Sequence, residues 1–237
     1  MSLLEVKALT ASHGLLVACR AITLSVQAGE ILALIGANGA GKTTLLRCIA
    51  GAHRPDQGSI AFDGVDITRR AAHHRVASGI ALVPEGRRLF SDMTVLENLQ
   101  VATASRRKGD WDLAAVLDVL PQLKPILRSQ AGQISGGQQQ ATAIGRALMT
   151  NPRLLLLDEL SLGLSPVAIE AVYAVLPRLI DAGIGIILVE QDLRRAMATA
   201  DRVLCMLEGK IMLQGASADL SREAVTDAYF GLNRAAA

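Results

Sequence analysis

A glycine-rich stretch near the start of the chain follows an apolar segment and precedes a helical pattern. Residues 36–44 read Gly-Ala-Asn-Gly-Ala-Gly-Lys-Thr-Thr, which fits the spacing G-x-x-x-x-G-K-T. Residues 31–35 before it are apolar, and residues 45–49 after it suit a helix. Because strand, loop and helix agree, we prefer a phosphate-binding loop (P-loop) to a glycine turn beside an unrelated lysine.

The residue types of this loop suit phosphate chemistry. Glycines let backbone N–H groups point at phosphate oxygens, and the helix N-terminus adds positive partial charge. We expect Lys42 to contact the β- and γ-phosphates, the Thr43 hydroxyl to ligate Mg²⁺, and Thr44 to give a further hydroxyl or N–H. The predicted phosphate-binding residues are Gly36, Asn38, Gly39, Ala40, Gly41, Lys42, Thr43 and Thr44.

The composition fits a large core made mainly of aliphatic side chains. Of 237 residues, 51% are apolar and only 3% are aromatic. A net charge of +2 without a dense basic run argues against nucleic acid as a partner. The N-terminus lacks a signal-peptide pattern, and no apolar run approaches the roughly 20 residues that cross a bilayer. The three cysteines match no metal-site spacing, so we expect buried free thiols.

The order of strand and helix patterns predicts one α/β domain with an inserted helical part. Short strands and turns fill the first third, helical patterns run from 93 to 149, and apolar strands then return. Pro177 predicts a kink in the helix after the first of these later strands, and His73 and His74 read as a surface loop. We assign residues 1–85 and 151–215 to a nucleotide-binding core, 86–150 to a helical subdomain and 216–237 to a C-terminal helical tail.

An acidic pair comes directly after a buried-strand pattern. The four leucines at 154–157 lead into Asp158 and Glu159. A carboxylate at the end of such a strand can hold Mg²⁺, and we assign that role to Asp158. Glu159 is then the candidate base that polarises the water attacking the γ-phosphate. Carboxylates that merely cap the next segment are the alternative, which a nearby P-loop disfavours.

A second glycine motif begins another predicted helix. Its members are Ser135, Gly136, Gly137 and Gln138. The serine hydroxyl, the tandem glycine amides and the helix N-terminus together form an anion site. Because the chain already has one phosphate loop, a second such site suggests a different nucleotide. An ordinary serine cap followed by a glycine turn stays open as the other interpretation.

These motifs together resemble the ATP-binding-cassette (ABC) ATPases over almost the whole chain. Residues 134–138 are similar to the signature motif of that family, with Ile134 where leucine is usual. The resemblance implies a RecA-like P-loop core, an N-terminal antiparallel β-subdomain and an inserted helical subdomain. It also implies that two chains pack head to tail. Each ATP, with Mg²⁺, would lie between one P-loop and the signature motif of the other chain, including Ser135 and Gly137.

Several positions depart from the common family pattern. Glu85 stands where a glutamine usually senses the γ-phosphate and metal, and Gln191 stands where many members have a γ-phosphate-contacting histidine. Leu160 and Ser165 replace a usual proline and aspartate. The resemblance therefore implies Glu85 as a third metal residue beside Thr43 and Asp158. It implies Lys42, Glu159 and Gln191 as the catalytic residues.

A further position concerns the adenine base. His13 lies about as far before the P-loop as the aromatic residue that stacks on adenine in this family. Imidazole can stack, although it offers less area than tyrosine. The resemblance makes His13 a nucleotide-binding candidate, and a loop histidine without a ligand is the alternative that stays open.

Four segments that occur together resemble one branch of the family, the ATPase subunits of bacterial importers for branched-chain amino acids. They read Gly-Ala-Asn-Gly-Ala-Gly at 36–41, Val-Pro-Glu-Gly-Arg-Arg at 83–88, Ala-Ile-Gly-Arg-Ala-Leu-Met at 143–149 and Leu-Val-Glu-Gln at 188–191. Importers for urea and short amides look similar, and a regulatory cassette without transport is a further alternative. The implied partners are a second ATPase chain, identical or different, two permease subunits and an external solute-binding protein. The implied location is the cytoplasmic face of the plasma membrane. Arg87 and Arg88 either contact a permease or are simply solvated.

Overall fold

The computed structural model of this protein describes residues 2–105 and 107–232, which form two β-sheets flanked by helices. The strands are β1 Leu4–His13, β2 Leu16–Val26, β3 Ile31–Ile35, β4 Gln57–Phe62, β5 Val65–Asp66, β6 Ile80–Val83, β7 Leu154–Asp158, β8 Gly185–Glu190, β9 Arg202–Leu207 and β10 Lys210–Ala216. The helices are α1 Lys42–Ala50, α2 Ala72–Ser78, α3 Val95–Val101, α4 Leu113–Val119, α5 Gly136–Leu148, α6 Pro166–Tyr173, α7 Leu176–Asp181, α8 Leu193–Thr199 and α9 Arg222–Phe230. Short 3₁₀ helices cover Ala102–Ser105, Pro121–Ile126 and Ser217–Asp219.

The first sheet is antiparallel and has the strand order β2-β1-β4-β5. Buried and more exposed residues roughly alternate along β1 and β2, as expected for strands with one face on a core. The buried face packs with α1 in one hydrophobic cluster that includes Leu4, Ile22 and Leu46. This sheet is the predicted N-terminal β-subdomain.

The second sheet has the order β10-β9-β3-β8-β7-β6, with β10 antiparallel at one edge and the other strands parallel. Every residue of β3, β7 and β8 is buried, which is why these strands read as continuous apolar runs. The carboxyl ends of these three neighbouring strands meet at one edge of the sheet. The P-loop follows β3 and the acidic pair begins at the end of β7, so both lie at this edge. Ligands bind at the same edge in open α/β sheets.

The inserted helices share a hydrophobic core with the parallel sheet. Leu99 of α3, Val116 of α4 and Ile144 of α5 belong to the same buried cluster as Leu188 of β8. Gly145 permits this close packing, because a Cβ there would lie 2.9 Å from Leu99 Cδ2. The predicted boundaries between the core and the helical subdomain, at 85/86 and 150/151, therefore stay a prediction, because the two parts share one hydrophobic cluster.

The prediction of a surface loop at His73 and His74 was wrong. Both residues lie on the exposed face of α2. Arg75 of that helix is 1% exposed, and its guanidinium donates to the carbonyls of Cys48 and Ile49 at the end of α1. This buried guanidinium links α2 to the core, a contact that a local pattern of Ala, His and Arg does not indicate.

The predicted kink at Pro177 was also wrong, because the helix after β7 is interrupted and two separate helices form. Helix α6 ends at Tyr173, α7 begins at Leu176, and Pro177 occupies the first turn of α7. The missing N–H of proline costs little there, because first-turn N–H groups have no partner within the helix. Helix α9 lies within the predicted C-terminal tail, and 233–237 fall outside the described residues. Across 2–105 and 107–232, no helix has the length and apolar character to cross a bilayer.

Candidate nucleotide-binding site

The loop between β3 and α1 can be built only with glycine at two positions. Gly36 has φ 156° and Gly41 has φ 101°, which side-chain-bearing residues rarely adopt. A Cβ on Gly36 would lie 2.3 Å from the Met206 carbonyl oxygen, and one on Gly41 would lie 2.2 Å from the Ala18 carbonyl oxygen. The loop therefore runs directly against the backbone of β9 and β2, and its N–H groups at the start of α1 offer an anion site.

Lys42 lies at the first position of α1 and is only 4% exposed. Its Nζ donates to the carbonyl oxygens of Gly36 at 2.7 Å and Ala37 at 3.0 Å. Burial lowers the pKa of Lys42, whereas the nearby Glu159 and Asp158 carboxylates act in the opposite direction. An anionic phosphate would compensate this buried ammonium, so the residues present fit a nucleotide phosphate.

Asp158 ends β7 and faces the start of α1. The Thr43 hydroxyl donates to Asp158 Oδ1 at 3.2 Å, and Asp158 is 3% exposed. Burial raises the pKa of Asp158, and the Thr43 hydrogen bond partly opposes that shift. A divalent cation would favour the charged carboxylate here. Among the described residues, no three His, Cys, Asp or Glu side chains are arranged so that they alone could hold a metal ion, so such a cation needs hydroxyl, water and phosphate oxygens as well.

Gln191 joins the P-loop to the residue after Asp158. Its Nε2 donates to Glu159 Oε1 at 2.8 Å and to Asn38 Oδ1 at 3.2 Å. Glu159 has φ 52°, a left-handed conformation that is strained for a side-chain-bearing residue. The Gln191 amide thus fixes the position of the Glu159 carboxylate, and both side chains line the same cleft.

Glu190, the residue before Gln191, is a buried carboxylate that the sequence analysis did not single out. Glu190 is 1% exposed and accepts hydrogen bonds from the Tyr173 hydroxyl, from Ser161 Oγ at 3.0 Å and from the Gln191 backbone N–H at 3.2 Å. Burial, and then Glu190 itself, raise the pKa of Tyr173, so its hydroxyl stays protonated as a donor. A charged residue ending an apolar strand was the only available signal for this network.

One open cleft of about 480 Å³ gathers most of the predicted residues. His13 lies on its wall, with Nε2 3.1 Å from Thr44 Oγ1 and its ring 4.5 Å from the His53 ring. Leu16, which the sequence did not single out, adds an apolar side chain that is 69% exposed. The lining consists of His13, Leu16, Ala18, Asn38, Gly39, Ala40, Gly41, Lys42, Thr43, Thr44, Glu85, Glu159, Leu162 and Gln191.

The second glycine motif does not line this cleft. Ser135 caps α5 by accepting from the Gln138 N–H at 3.3 Å, while Gln138 Oε1 accepts from the Ser135 N–H at 3.0 Å. A Cβ on Gly137 would lie 2.7 Å from the Ala168 Cβ of α6. Within one chain, the two predicted anion sites are therefore separate.

Comparison with known proteins places this architecture in a family. The family model described as ABC transporter matches residues 19–161. The chain is 41% identical over 222 residues to the high-affinity branched-chain amino acid transport ATP-binding protein BraG of Pseudomonas aeruginosa, covering 92% of this chain and 95% of that protein. It is 30% identical to the lipopolysaccharide export system ATP-binding protein LptB of Haemophilus influenzae, covering 98% of both chains.

Solved structures agree with this result. A nucleotide-free ATP-binding cassette from an ABC transporter superposes with a TM-score of 0.84 at 26% identity, covering 96% of this chain and 95% of that one. The ADP conformation of another such cassette gives 0.82 at 27% identity, covering 96% and 94%. The predicted fold, a P-loop core with an antiparallel β-subdomain and inserted helices, is confirmed. This chain belongs to the ABC transporter family and is one of its nucleotide-binding cassettes, an ATPase.

Proposed function

We propose that this chain is the ATP-hydrolysing subunit of an importer for branched-chain amino acids. The likeness to BraG, which extends over nearly the full length of both chains, supports this cargo. The observation that carries the ATPase role is the convergence of Lys42, Glu159 and Gln191 on one cleft at the carboxyl ends of β3, β7 and β8. Asp158 lies at the same sheet edge, bonded to Thr43.

Each residue is assigned a role from its place in or beside the cleft. The P-loop N–H groups and Lys42 would bind the phosphates, and Thr43, Asp158 and Glu85 would supply oxygen ligands for Mg²⁺. When bound, Mg²⁺ neutralises charge on the phosphate oxygens. Glu159 accepts the proton of the attacking water, and Gln191 orients the Glu159 carboxylate through its 2.8 Å hydrogen bond. His13 and Leu16 offer the flat and apolar surfaces that an adenine base would contact.

A second cassette chain completes each site in this proposal. Ser135, Gly136, Gly137 and Gln138 lie outside the cleft of their own chain, which supports a role toward the nucleotide of a partner. The partner is a copy of this chain or a different cassette. Two membrane permeases and an external solute-binding protein complete the assembly, and this chain lies on the cytoplasmic face of the membrane. ATP-driven closure of the cassette pair then favours one permease conformation.

Steady-state hydrolysis of Mg-ATP by the purified chain tests the ATPase role. We expect specific activity to rise with protein concentration, because two chains form each site. Glu159→Gln should abolish turnover and retain ATP binding, whereas Glu223→Gln on the exposed face of α9 should behave like the wild type. Turnover by Glu159→Gln at the wild-type rate would contradict the assigned base.

Solute-stimulated hydrolysis by the assembled transporter tests the cargo. The chain would be purified with its native permeases, reconstituted in vesicles, and assayed with the matching solute-binding protein. We expect leucine, isoleucine or valine to raise the ATPase rate, and urea or acetamide to leave it unchanged. Stimulation by urea or an amide alone would assign the chain to the other importer class.

A further inference from the structure

Three consecutive residues after Glu85 have left-handed backbone conformations. Gly86, Arg87 and Arg88 have φ values of 73°, 63° and 49°. Only the first is a glycine, so the two arginines adopt a conformation that L-residues rarely take. Such strain persists where surrounding contacts hold the segment in place, and it is frequent at switch regions.

The contacts that hold this segment come from α5. Arg87 Nη1 donates to Gln139 Oε1 at 2.9 Å, and Arg87 Nε donates to Gln140 Oε1 at 3.2 Å. The Arg87 carbonyl oxygen accepts from Arg146 Nη2 at 3.0 Å. The Arg146 guanidinium in turn lies 5.8 Å from the centre of the Phe90 ring. Both the side chain and the backbone of Arg87 are therefore attached to the same helix.

Arg87 also lies against the first turn of α5. A Cβ on Gly136 would be 3.3 Å from Arg87 Nη2, so the guanidinium covers the residue directly after the Ser135 cap. At the other end of the segment, Glu85 lines the nucleotide cleft. Two peptide bonds thus separate Glu85, a cleft residue, from Arg87, which contacts the motif that lies outside the cleft.

We propose that Arg87 is a positioning residue that couples the nucleotide cleft to the signature motif of the same chain. This inference rests on the proposed function. A shift of Glu85 toward bound nucleotide is passed along the strained backbone to Arg87, and from its guanidinium to the start of α5. The guanidinium also adds positive charge near the helix N-terminus, which favours a phosphate of the partner's nucleotide there. Two of the three guanidinium nitrogens of Arg87 donate to α5, so its side chain is held by contacts within its own chain.

Arg88 provides a matched control. It has the same charge and the same left-handed backbone, and its side chain is exposed. Arg87→Ala and Arg88→Ala therefore remove equal charge and equal side-chain bulk from adjacent positions. Only Arg87→Ala removes the contacts to Gln139 and Gln140. Arg87→Lys keeps the charge and can donate to one amide, so it should restore part of the effect.

Hydrogen exchange with and without Mg-ATP tests the proposal, in a Glu159→Gln background so that nucleotide is not consumed. We expect Mg-ATP to slow exchange at residues 39–44 in every variant. It should also alter exchange at residues 136–139 in the parent and in Arg88→Ala, and this second response should be lost in Arg87→Ala. In hydrolysis-competent protein, Arg87→Ala should lower kcat about tenfold with a small change in KM, as loss of charge-assisted hydrogen bonds implies.

The possible outcomes distinguish failure of the Arg87 coupling role from failure of the proposed nucleotide site. If residues 136–139 respond equally in Arg87→Ala and in the parent, or respond in neither, the coupling role is overturned while the ATPase proposal stands. If residues 39–44 fail to respond even in the parent, the proposed nucleotide site itself is wrong. If Arg88→Ala loses the response as fully as Arg87→Ala, loop charge or strain is responsible and the specific role of Arg87 is overturned.

Discussion

The side-chain amide of Gln191 donates a hydrogen bond to Glu159 Oε1 at 2.8 Å, across the ends of the neighbouring strands β8 and β7. The same nitrogen lies 3.2 Å from Asn38 Oδ1 in the P-loop. An amide carries no titratable proton near neutral pH, so this contact does not switch with pH as one made by histidine can. The candidate base, the loop and the end of β8 are thus joined by one neutral side chain.

Removal of the Gln191 amide should impair chemistry more than binding. In Gln191→Leu, the Glu159 carboxylate loses a donor that orients it, so we expect kcat to fall by about 10–100-fold with a small change in the KM for ATP. Gln214→Leu, at an exposed position of β10, is the control and should keep the wild-type rate. Steady-state kinetics measures both quantities, and an unchanged kcat in Gln191→Leu would remove this residue from the mechanism.

Asp158, the proposed metal ligand, should lower the stability of the protein when no cation is bound. Because burial raises its folded-state pKa, the unfolding free energy contributed by this group falls as pH rises from the unfolded value near 3.8 through the folded value. We therefore expect Asp158→Asn to raise Tm by about 2–4 °C at pH 7.5 without nucleotide. Thermal unfolding with and without Mg-ATP measures this.

The same variant should lose the extra stabilisation that Mg²⁺ adds to bound ATP. The control is Asp181→Asn at the exposed end of α7, which should leave both Tm values unchanged. A lower Tm for Asp158→Asn together with an intact Mg²⁺ effect would contradict the account of this carboxylate.

Gly41 should tolerate no side chain, because a Cβ there would meet the Ala18 carbonyl oxygen at 2.2 Å. Gly64 has a comparable φ of 74° and no heavy atom within 4 Å of its ideal Cβ. Gly64→Ala should thus cost only the left-handed strain, about 1–2 kcal/mol in unfolding free energy. Gly41→Ala should cost more than that and abolish ATP binding. Urea unfolding and a nucleotide-binding assay decide this, and equal costs in the two variants would show that the loop can move.

The three cysteines should be unreactive in the native protein. All three are buried, and burial raises the pKa of Cys19 and Cys205 to about 11 and that of Cys48 to about 12. The thiolate is the reactive form, so iodoacetamide at pH 8 should modify no cysteine until the chain is unfolded. Mass spectrometry of native and unfolded samples counts the adducts. Rapid modification of the native protein would mean that these thiols are open to solvent.

The parts of the site that the sequence predicted are those set by local pattern. The P-loop follows from glycine spacing between a strand and a helix. Asp158 follows from a strand end, because the carboxyl ends of parallel strands share one edge. The hydrogen bonds of Glu190 with Ser161 and Tyr173 could not be predicted, since the three residues come from separate parts of the chain and meet only in the folded protein.

Two arginines show the same limit. Arg75 stands in a local run of Ala, His and Arg that does not indicate burial. It is nevertheless 1% exposed, and carbonyl oxygens at the end of α1 accept hydrogen bonds from its guanidinium. Arg87 carries no glycine-like signal for its left-handed backbone, which tertiary contacts with α5 impose. Both positions depend on long-range hydrogen bonds that composition and periodicity do not encode.

If two cassette chains each contribute half of every ATP site, a mixing experiment with two inactive variants should reveal it. Glu159→Gln and Ser135→Arg chains would be assayed alone and after mixing in equal amounts. In a mixed pair, one site carries both changes and the other carries neither. We expect each variant alone to be inactive and the mixture to regain ATP hydrolysis. A mixture as inactive as its components, although mixed pairs form, or full activity of Ser135→Arg alone, would contradict it.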